Sequence, residues 1–475
     1  MTQLLGYGAY LPYNRLRRDA IGAALGGGGG RGHRTVASYD EDTTSMGVEA
    51  ARIALRTNPG SSLPARLYFA TATPAYMEKT NATVIHTALG LDTSALAVDM
   101  AGSVRSGVGA MIAAMEAPEP ALVVTSDVRT GLPGSADERD GGDGAAALLF
   151  GDSHDGAAIA DVLAVGSATG EFLERWRDPD APNSQVWEER FGEHAYQPLA
   201  RAAFDDALKR AEITAADIDV LVIAGLPARA ARRFGSESGV SKEAIADNLA
   251  GNVGNTGTAH PGIMLADVLD QVGPDTTIAL VVLADGATTF ILRTTAALPL
   301  HRSSRPVQAQ LAAGNDTLRY TNFLTWRNML RQEPPRRPDP DRPAAPPSHR
   351  RADYKFGFVG SRCTECDTVH VPPGRVCATC HTLDRMTPHP MADAAGRITA
   401  FVVDHLVFTP QPPAVLAVVD FVGGGRFRCQ LADVDPKTVS VGDAVEMTFR
   451  KILTANGVHN YFWKARPVPT TESAR

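Results

Sequence analysis

Apolar runs of two kinds alternate along the first 300 residues, and they do so twice. The stretch AARIALRTNPGSSLPARLYFATATP reads as a helix, a turn, and a β-branched and aromatic strand ending at Pro74. AFDDALKRAEITAADIDVLVIAGLP repeats that order and ends at Pro227. GVGAMIAAMEAPEPALVVTSDV is a helix feeding a continuous apolar strand, and GIMLADVLDQVGPDTTIALVVLADG matches it in order and length. Each half then carries a Gly-Ala element, GDGAAALLFGD and ADGATTFIL, that reads as a further strand. Strands apolar on both faces and alternating with helices belong to sheets covered on both sides. The same order met twice predicts a duplicated α/β domain, with halves at 1–155 and 156–300.

Beyond residue 300 the pattern changes. A helix-like run, TNFLTWRNML, precedes EPPRRPDPDRPAAPP at 333–347, which is proline and charge without apolar periodicity. Such a segment cannot bury a core and favours extended chain, so 301–355 reads as a helix and linker. Cys363-x-x-Cys366 and Cys377-x-x-Cys380 follow, separated by ten residues that include Pro372, Pro373 and Gly374. Two such knuckles bring four thiolates together on a tetrahedral zinc with no open ligand position, so the metal is structural. A rubredoxin-like zinc ribbon is expected over 356–390. Five short strands with glycine turns come next: GRITAFVVDHLVF, AVLAVVDF, GRFRCQLADV, DAVEMTFRKIL and NYFWKARPV. They predict a small OB-type β-barrel over 391–470. Cys429, alone in a strand-like run, reads as a sheet residue.

Composition narrows the function classes. A net charge of -7 gives no global reason to bind nucleic acid or an anionic membrane. The opening MTQLLGYGAYLP lacks the basic flank and long apolar core of a signal peptide, and runs such as IALVVLADGATTFIL are too short and interrupted to span a bilayer. Five cysteines, four of them in the paired knuckles, suit metal binding in a reducing compartment, so a cytoplasmic protein is expected.

Both parts resemble known families. GYGAYLP, YDEDTTSMGVEAARIAL, FATATPAYMEKTNATVIHTALG, DMAGSVRSGVGAM, GDGAAALLFGD and GNVGNTGTAHPGIMLADVLD resemble, in order, the thiolase superfamily, in its hydroxymethylglutaryl-CoA synthase and ketoacyl-ACP synthase III branch. The resemblance implies a duplicated five-layer fold, an acyl-CoA ligand and a homodimer. The helix, ribbon and barrel together are similar to the zinc-ribbon-plus-OB module found beside thiolases. That likeness implies association with acyl-CoA enzymes, and a separate thiolase subunit as a partner.

The residues that the first resemblance makes catalytic are missing. Such condensing enzymes acylate a cysteine at the start of a buried helix, whose N-terminus lowers the thiol pKa. No cysteine precedes Cys363. Matching SVRSGVGAM to the family pattern puts Val104 at the nucleophile position, with Ser103 before it as a helix cap. The glutamate and histidine positions fall on Ala72 and Gly225. Asn255 matches an asparagine that polarises a thioester carbonyl. His260 in GNTGTAH reads first as a cap for the following helix, whose Pro261 suits a first turn, and second as a candidate acid–base group. Arg31 and Arg34 beside the glycine run 26–30 are candidates for CoA phosphates, or part of a surface loop. Three functions follow: an acyl-CoA-binding subunit that works with an active thiolase; a retro-aldolase on a β-hydroxyacyl-CoA that needs no acyl-cysteine; and, from the barrel alone, a binder of single-stranded nucleic acid.

Overall fold

The computed structural model describes residues 2–468 apart from 61–62, 153–157, 180, 335, 337 and 339. Three residues of the expected linker and the last two of the expected barrel segment therefore lie outside the described residues. The chain divides into two compact units. The first holds Met1–Ala37, Asp42–Thr83 and Asp92–Phe323; the second holds Ser38–Glu41, Val84–Leu91 and Leu324–Arg475. No helix among the described residues is long and apolar enough to cross a membrane.

The first unit contains the strands β1 (Gln3–Tyr10), β2 (Arg66–Thr71), β3 (Leu96–Ala101), β4 (Ala121–Asp127), β5 (Gly144–Gly151), β6 (Ala160–Ala168), β7 (Val220–Gly225), β8 (Thr277–Leu283) and β9 (Ala287–Thr294). They form one mixed sheet in the order β7-β8-β9-β6-β1-β5-β4-β2-β3. Its two halves meet where Gln3 and Leu4 of β1 pair with Asp161 and Ala160 of β6. The helices are α1 (Thr43–Thr57), α2 (Arg105–Met115), α3 (Glu189–Ala211) and α4 (His260–Leu269).

Alternation along the strands sorts the helices into layers. Leu221, Ile223, Val281 and Ile291 pack with Tyr196, Ala203 and Phe204 of α3, while Val222, Ala224, Leu280 and Phe290 turn to a core shared with α2 and α4. In the first half, Tyr7, Tyr68, Val123 and Leu148 face that same core. The opposite face of β1 carries Gly6 and Gly8, where a Cβ would stand 2.7 Å from the Ala54 carbonyl and 2.6 Å from that of Ala50, both on α1. Gly166 of β6 meets Ala203 of α3 in the same way, at 2.2 Å. Each half thus uses small residues to bring one outer helix onto its sheet, and α2 and α4 fill the middle. Every residue of α4 is buried, as an all-round apolar helix requires. All the duplicated elements read from the sequence are present.

The second unit holds the ribbon and the barrel. Strands β10 (Val359–Cys363), β11 (Val369–His370) and β12 (Met386–Pro390) pair in the order β11-β10-β12. Strands β13 (Gly396–Asp404), β14 (Ala414–Phe421), β15 (Arg426–Gln430), β16 (Ala444–Ala455) and β17 (Val458–Pro467) pair as β15-β14-β13-β16-β17. A bridge from Leu431 to Ala465 brings the chain after β15 onto β17 and curls the sheet. Phe358, Phe427, Phe449 and Trp463 fill the interior, and the Trp463 indole donates to the Phe356 carbonyl at 2.8 Å. Phe462 stacks edge-on with Tyr354 at 5.3 Å. Cys429 is buried in β15.

The same unit encloses a buried ion cluster. Lys464 Nζ lies 2.6 Å from Asp40 Oδ2, and Arg450 Nη1 lies 2.9 Å from Glu41 Oε1. Arg450 also pairs with Asp433 through Nη2. Burial alone would raise the Asp40 pKa, but the Lys464 ammonium and Arg450 guanidinium hold it far below the usual carboxylate range.

Candidate functional site

Helix α2 starts in the middle layer beneath a turn, and Val104 occupies its N-cap position without any side-chain cap. Ser103, expected to cap this helix, contributes its carbonyl to Ser106 N at 3.1 Å instead. Two spaces adjoin Val104. Behind it, toward Val108, Met111, Val123, Leu148 and Pro261, the side chains leave only about 10 Å³. In front lies a cavity of about 100 Å³ whose walls include Ala72, Val104, Arg129, Glu174, Arg175 and Tyr196. Ala72 and Val104 are thus brought together on one cavity, with Leu226 beside them.

The polar wall is supplied by the segment before α3 and the end of β4. Asp137 receives Arg175 at 2.9 Å and Arg129 at 3.3 Å. Burial would raise its pKa, and the two guanidinium groups pull it below the ordinary value. Arg177 donates to the Ala72 carbonyl. Tyr196 Oη accepts the Asp285 N–H at 3.1 Å; burial and the nearby Glu174 carboxylate push its pKa up. Arg105, in the first turn of α2, donates to the Ala284 carbonyl at 3.0 Å and to Thr169 Oγ1 at 2.9 Å.

Asp127, at the end of β4, organises this site and was passed over in the sequence. Its carboxylate accepts from Ala72 N at 2.7 Å, Thr71 Oγ1 at 2.9 Å and Thr258 N at 2.8 Å, so one side chain ties the turns of both halves. Gly257 has φ 60°, and a Cβ there would stand 2.2 Å from Asp127 Oδ2. The glycine between two threonines in GNTGTAH was the available signal.

Asn255 and His260 do not line the cavity. Asn255 Nδ2 donates to the Gly225 carbonyl at 2.7 Å, and its Oδ1 accepts Gly257 N at 2.9 Å. Both ends of the amide are thereby engaged with backbone. His260 opens α4, 4% exposed, with Nδ1 3.4 Å from Thr256 Oγ1. Burial lowers its pKa to about 4, against a hydrogen bond with the Asn248 backbone that raises it. The imidazole is neutral near pH 7, and so poorly basic a group is far from the pKa that general acid–base work prefers.

Arg34 requires a correction. Expected on a surface loop or at CoA phosphates, it has no exposed surface, because the chain after the glycine run enters a strand pair, Asn14–Arg17 with His33–Val36. Its guanidinium donates to the Arg129 carbonyl at 2.8 Å and to Asp143 at 3.2 Å, and lies over the Phe323 ring at 5.0 Å. A group so enclosed is a strut and does not meet a phosphate. Arg31 is exposed.

In the second unit the four knuckle cysteines converge, all four Sγ atoms lying within 4.8 Å of one another. Cys363 and Cys380 are 3.6 Å apart, Cys366 and Cys377 3.4 Å. A tetrahedron of thiolates about 2.3 Å from zinc has edges of about 3.8 Å, so the set fits that ion. Each knuckle closes alike: Asp367 N bonds to Cys363 O and His381 N to Cys377 O, both at 3.0 Å. Asp367 and His381 take φ near 60°, and the carbonyls of the residues that follow, Thr368 and Thr382, accept Cys363 N at 2.9 Å and Cys377 N at 3.0 Å.

Comparison with known proteins agrees with this division. Residues 355–384 match the family "ChsH2, rubredoxin-like zinc ribbon domain", and 389–450 match "ChsH2, C-terminal OB-fold domain". The chain is 27% identical over 347 residues to a hydroxymethylglutaryl-CoA synthase of Caldivirga maquilingensis, covering 69% of this chain and 98% of that one. It is 29% identical over 304 residues to the Thermoplasma acidophilum synthase, covering 60% and 85%. Its fold is similar to a solved HMG-CoA synthase complexed with CoA (17% identity, TM-score 0.58, 68% and 89% covered). It is also similar to 3-oxoacyl-[acyl-carrier-protein] synthase III from Aquifex aeolicus VF5 (20% identity, TM-score 0.52, 62% and 100% covered). The chain has a thiolase-like fold followed by ChsH2-type zinc-ribbon and OB domains.

Proposed function

We propose that this protein is an acyl-CoA-binding subunit that forms no acyl-enzyme and acts with a separate, cysteine-bearing thiolase in making or breaking carbon–carbon bonds. The observation that carries the reading is Val104: an aliphatic side chain at the start of the buried helix α2, facing the cavity, in a chain with no cysteine before Cys363. A valine has no electron pair to attack a thioester and no proton to give. Ala72 and Gly225 supply no acid or base at the other two expected positions, and His260 is buried and neutral. The ligand class is supported by the similarity to synthases of the hydroxymethylglutaryl-CoA type, one of them solved with CoA. The four cysteines would hold one zinc, whose contribution is to fold the ribbon, since four thiolates leave it no position for substrate.

Copurification from the native host is the test, with intact-mass spectrometry beside it. A thiolase that comes with the chain and is activated by it supports the subunit role, and acetyl-CoA should leave residues 1–300 without an acyl adduct. A stable adduct there sinks the argument from Val104. If the isolated protein cleaves a β-hydroxyacyl-CoA, the subunit role is replaced by a retro-aldolase acting through the Tyr196 and Glu174 cavity.

A further inference from the structure

The two zinc knuckles share a motif longer than their cysteines. Each reads C-x-x-C-x-T, once from Cys363 to Thr368 and again from Cys377 to Thr382. Four thiolates on a dication leave negative charge in excess, and hydrogen-bond donors around the sulfurs offset it. The two buried sulfurs find theirs in the knuckle backbone. Cys363 Sγ accepts from the amides of Glu365 and Cys366, and Cys377 Sγ from those of Cys380 and, at 3.4 Å, Thr379. The other two cysteines, Cys366 and Cys380, are the ones that solvent reaches. Each has a threonine hydroxyl against it. Thr368 Oγ1 lies 3.2 Å from Cys366 Sγ, and Thr382 Oγ1 lies 3.3 Å from Cys380 Sγ.

We infer that Thr368 and Thr382 are positioning residues of the metal site, each donating its hydroxyl proton to the exposed thiolate two residues before it and so holding that sulfur on the ion. The inference rests on the zinc reading above and adds the groups that keep the exposed ligands in place. The direction of the bond follows from the chemistry. A zinc-bound cysteine has lost its proton and can only accept, so the hydroxyl donates. Thr368 has a second acceptor in reach, Thr379 Oγ1 at 3.1 Å, and one proton to give; the charged thiolate is the stronger claimant. Thr382 Oγ1 has no such rival among the described residues. Backbone closure fixes both side chains, because the same threonines accept Cys363 N and Cys377 N through their carbonyls. Any residue supplies that carbonyl. Only threonine or serine adds a hydroxyl short enough to meet the sulfur beside it.

Zinc release from the full chain tests this. N-ethylmaleimide traps a sulfur when it leaves the ion, and a colorimetric chelator reads the zinc set free. Thr368→Val and Thr382→Val keep the side-chain shape and delete the hydroxyl. Each should speed release about tenfold, the lower end of what losing a ligand's hydrogen-bond partner costs a metal site. Thr368→Ser and Thr382→Ser should release zinc at the parent rate. Thr364→Val is the control, since its hydroxyl bonds to the Arg385 carbonyl at 3.3 Å. Peptide mapping of the trapped protein adds position: Cys366 should be alkylated first in Thr368→Val, and Cys380 first in Thr382→Val. Valine variants that match the parent, or serine variants as fast as the valine ones, overturn the inference. One order of alkylation common to both valine variants does the same, because it marks a general loosening of the ribbon. Should one valine variant fail to fold, the other threonine decides by the same readings. A purified chain that holds no zinc and takes none up removes the zinc reading itself, and this inference with it.

Discussion

A histidine beside a catalytic-looking loop and an arginine beside a glycine run carry the same letters whether they face substrate or core. His260 and Arg34 are both enclosed, and what encloses them comes from distant sequence: the Asn248 turn for one, Asp143 and Phe323 for the other. Burial contributed by remote segments is not periodic, so no local pattern announces it. Absences were easier to read, because a missing cysteine needs no fold to be seen. The buried imidazole has a consequence that can be measured. Its folded pKa of about 4 lies below the ordinary 6.5, so between those values the unfolded chain binds a proton that the native state refuses. Its contribution is therefore whole above pH 6.5 and is lost as pH falls toward 4, by up to about 3 kcal/mol. Denaturant titrations at pH 7 and pH 4.5 should show His260→Gln less sensitive to acid than the parent across that interval. An identical slope in both proteins would mean that His260 is not the buried neutral group described.

Elements were more legible than residues, since a strand apolar on both faces and a fully apolar helix announce themselves by composition. The duplicated helix–strand pairs, the two knuckles and all five barrel strands were read correctly because each depends on near neighbours in sequence. The loop Ser38–Glu41 was not, since only the tertiary fold groups Asp40 and Glu41 with Arg450 of β16 and Lys464 of β17. Breaking one partner of a buried ion cluster leaves an uncompensated charge in low dielectric, which typically costs 3–5 kcal/mol, roughly. Lys464→Met should lower the melting temperature of the second unit, while replacement of an exposed pair such as Arg375–Asp384 should change it little. Comparable small losses from both would remove the cluster from the stability argument. The knuckles offer a separate check at this scale. Metal analysis should return about one zinc per chain, and Cys363→Ser should destabilise the ribbon, since structural zinc sites couple binding to folding. A metal-free protein with a folded ribbon would defeat that assignment.

For the whole molecule, the free edge of the nine-stranded sheet is the feature that calls for a partner. Among the described residues strand β3 ends the sheet, paired only with β2, and it is six residues long, without proline or lysine. Its side chains are half-exposed, with Leu96 45% accessible and Val98 and Met100 only partly covered. Its one charge, Asp99, is spent inward, accepting from Asn81 N and Ala82 N at 2.7 Å each. Proteins that keep an edge unpaired usually guard it with charge, proline or a bulge, and β3 among the described residues has an unguarded row of apolar side chains. Pairing with the same strand of a second copy about a two-fold axis would satisfy the edge and cover those side chains in one step. This agrees with the homodimer that the thiolase resemblance implies. Light scattering at micromolar concentration should accordingly give twice the 50.3 kDa chain mass. Met100→Lys puts a charge on the edge and should shift the population toward monomer without unfolding the first unit, which circular dichroism would verify. A parent protein that is monomeric under those conditions would count against the edge-strand dimer. A dimer that survives Met100→Lys unchanged would move the contact elsewhere on the fold.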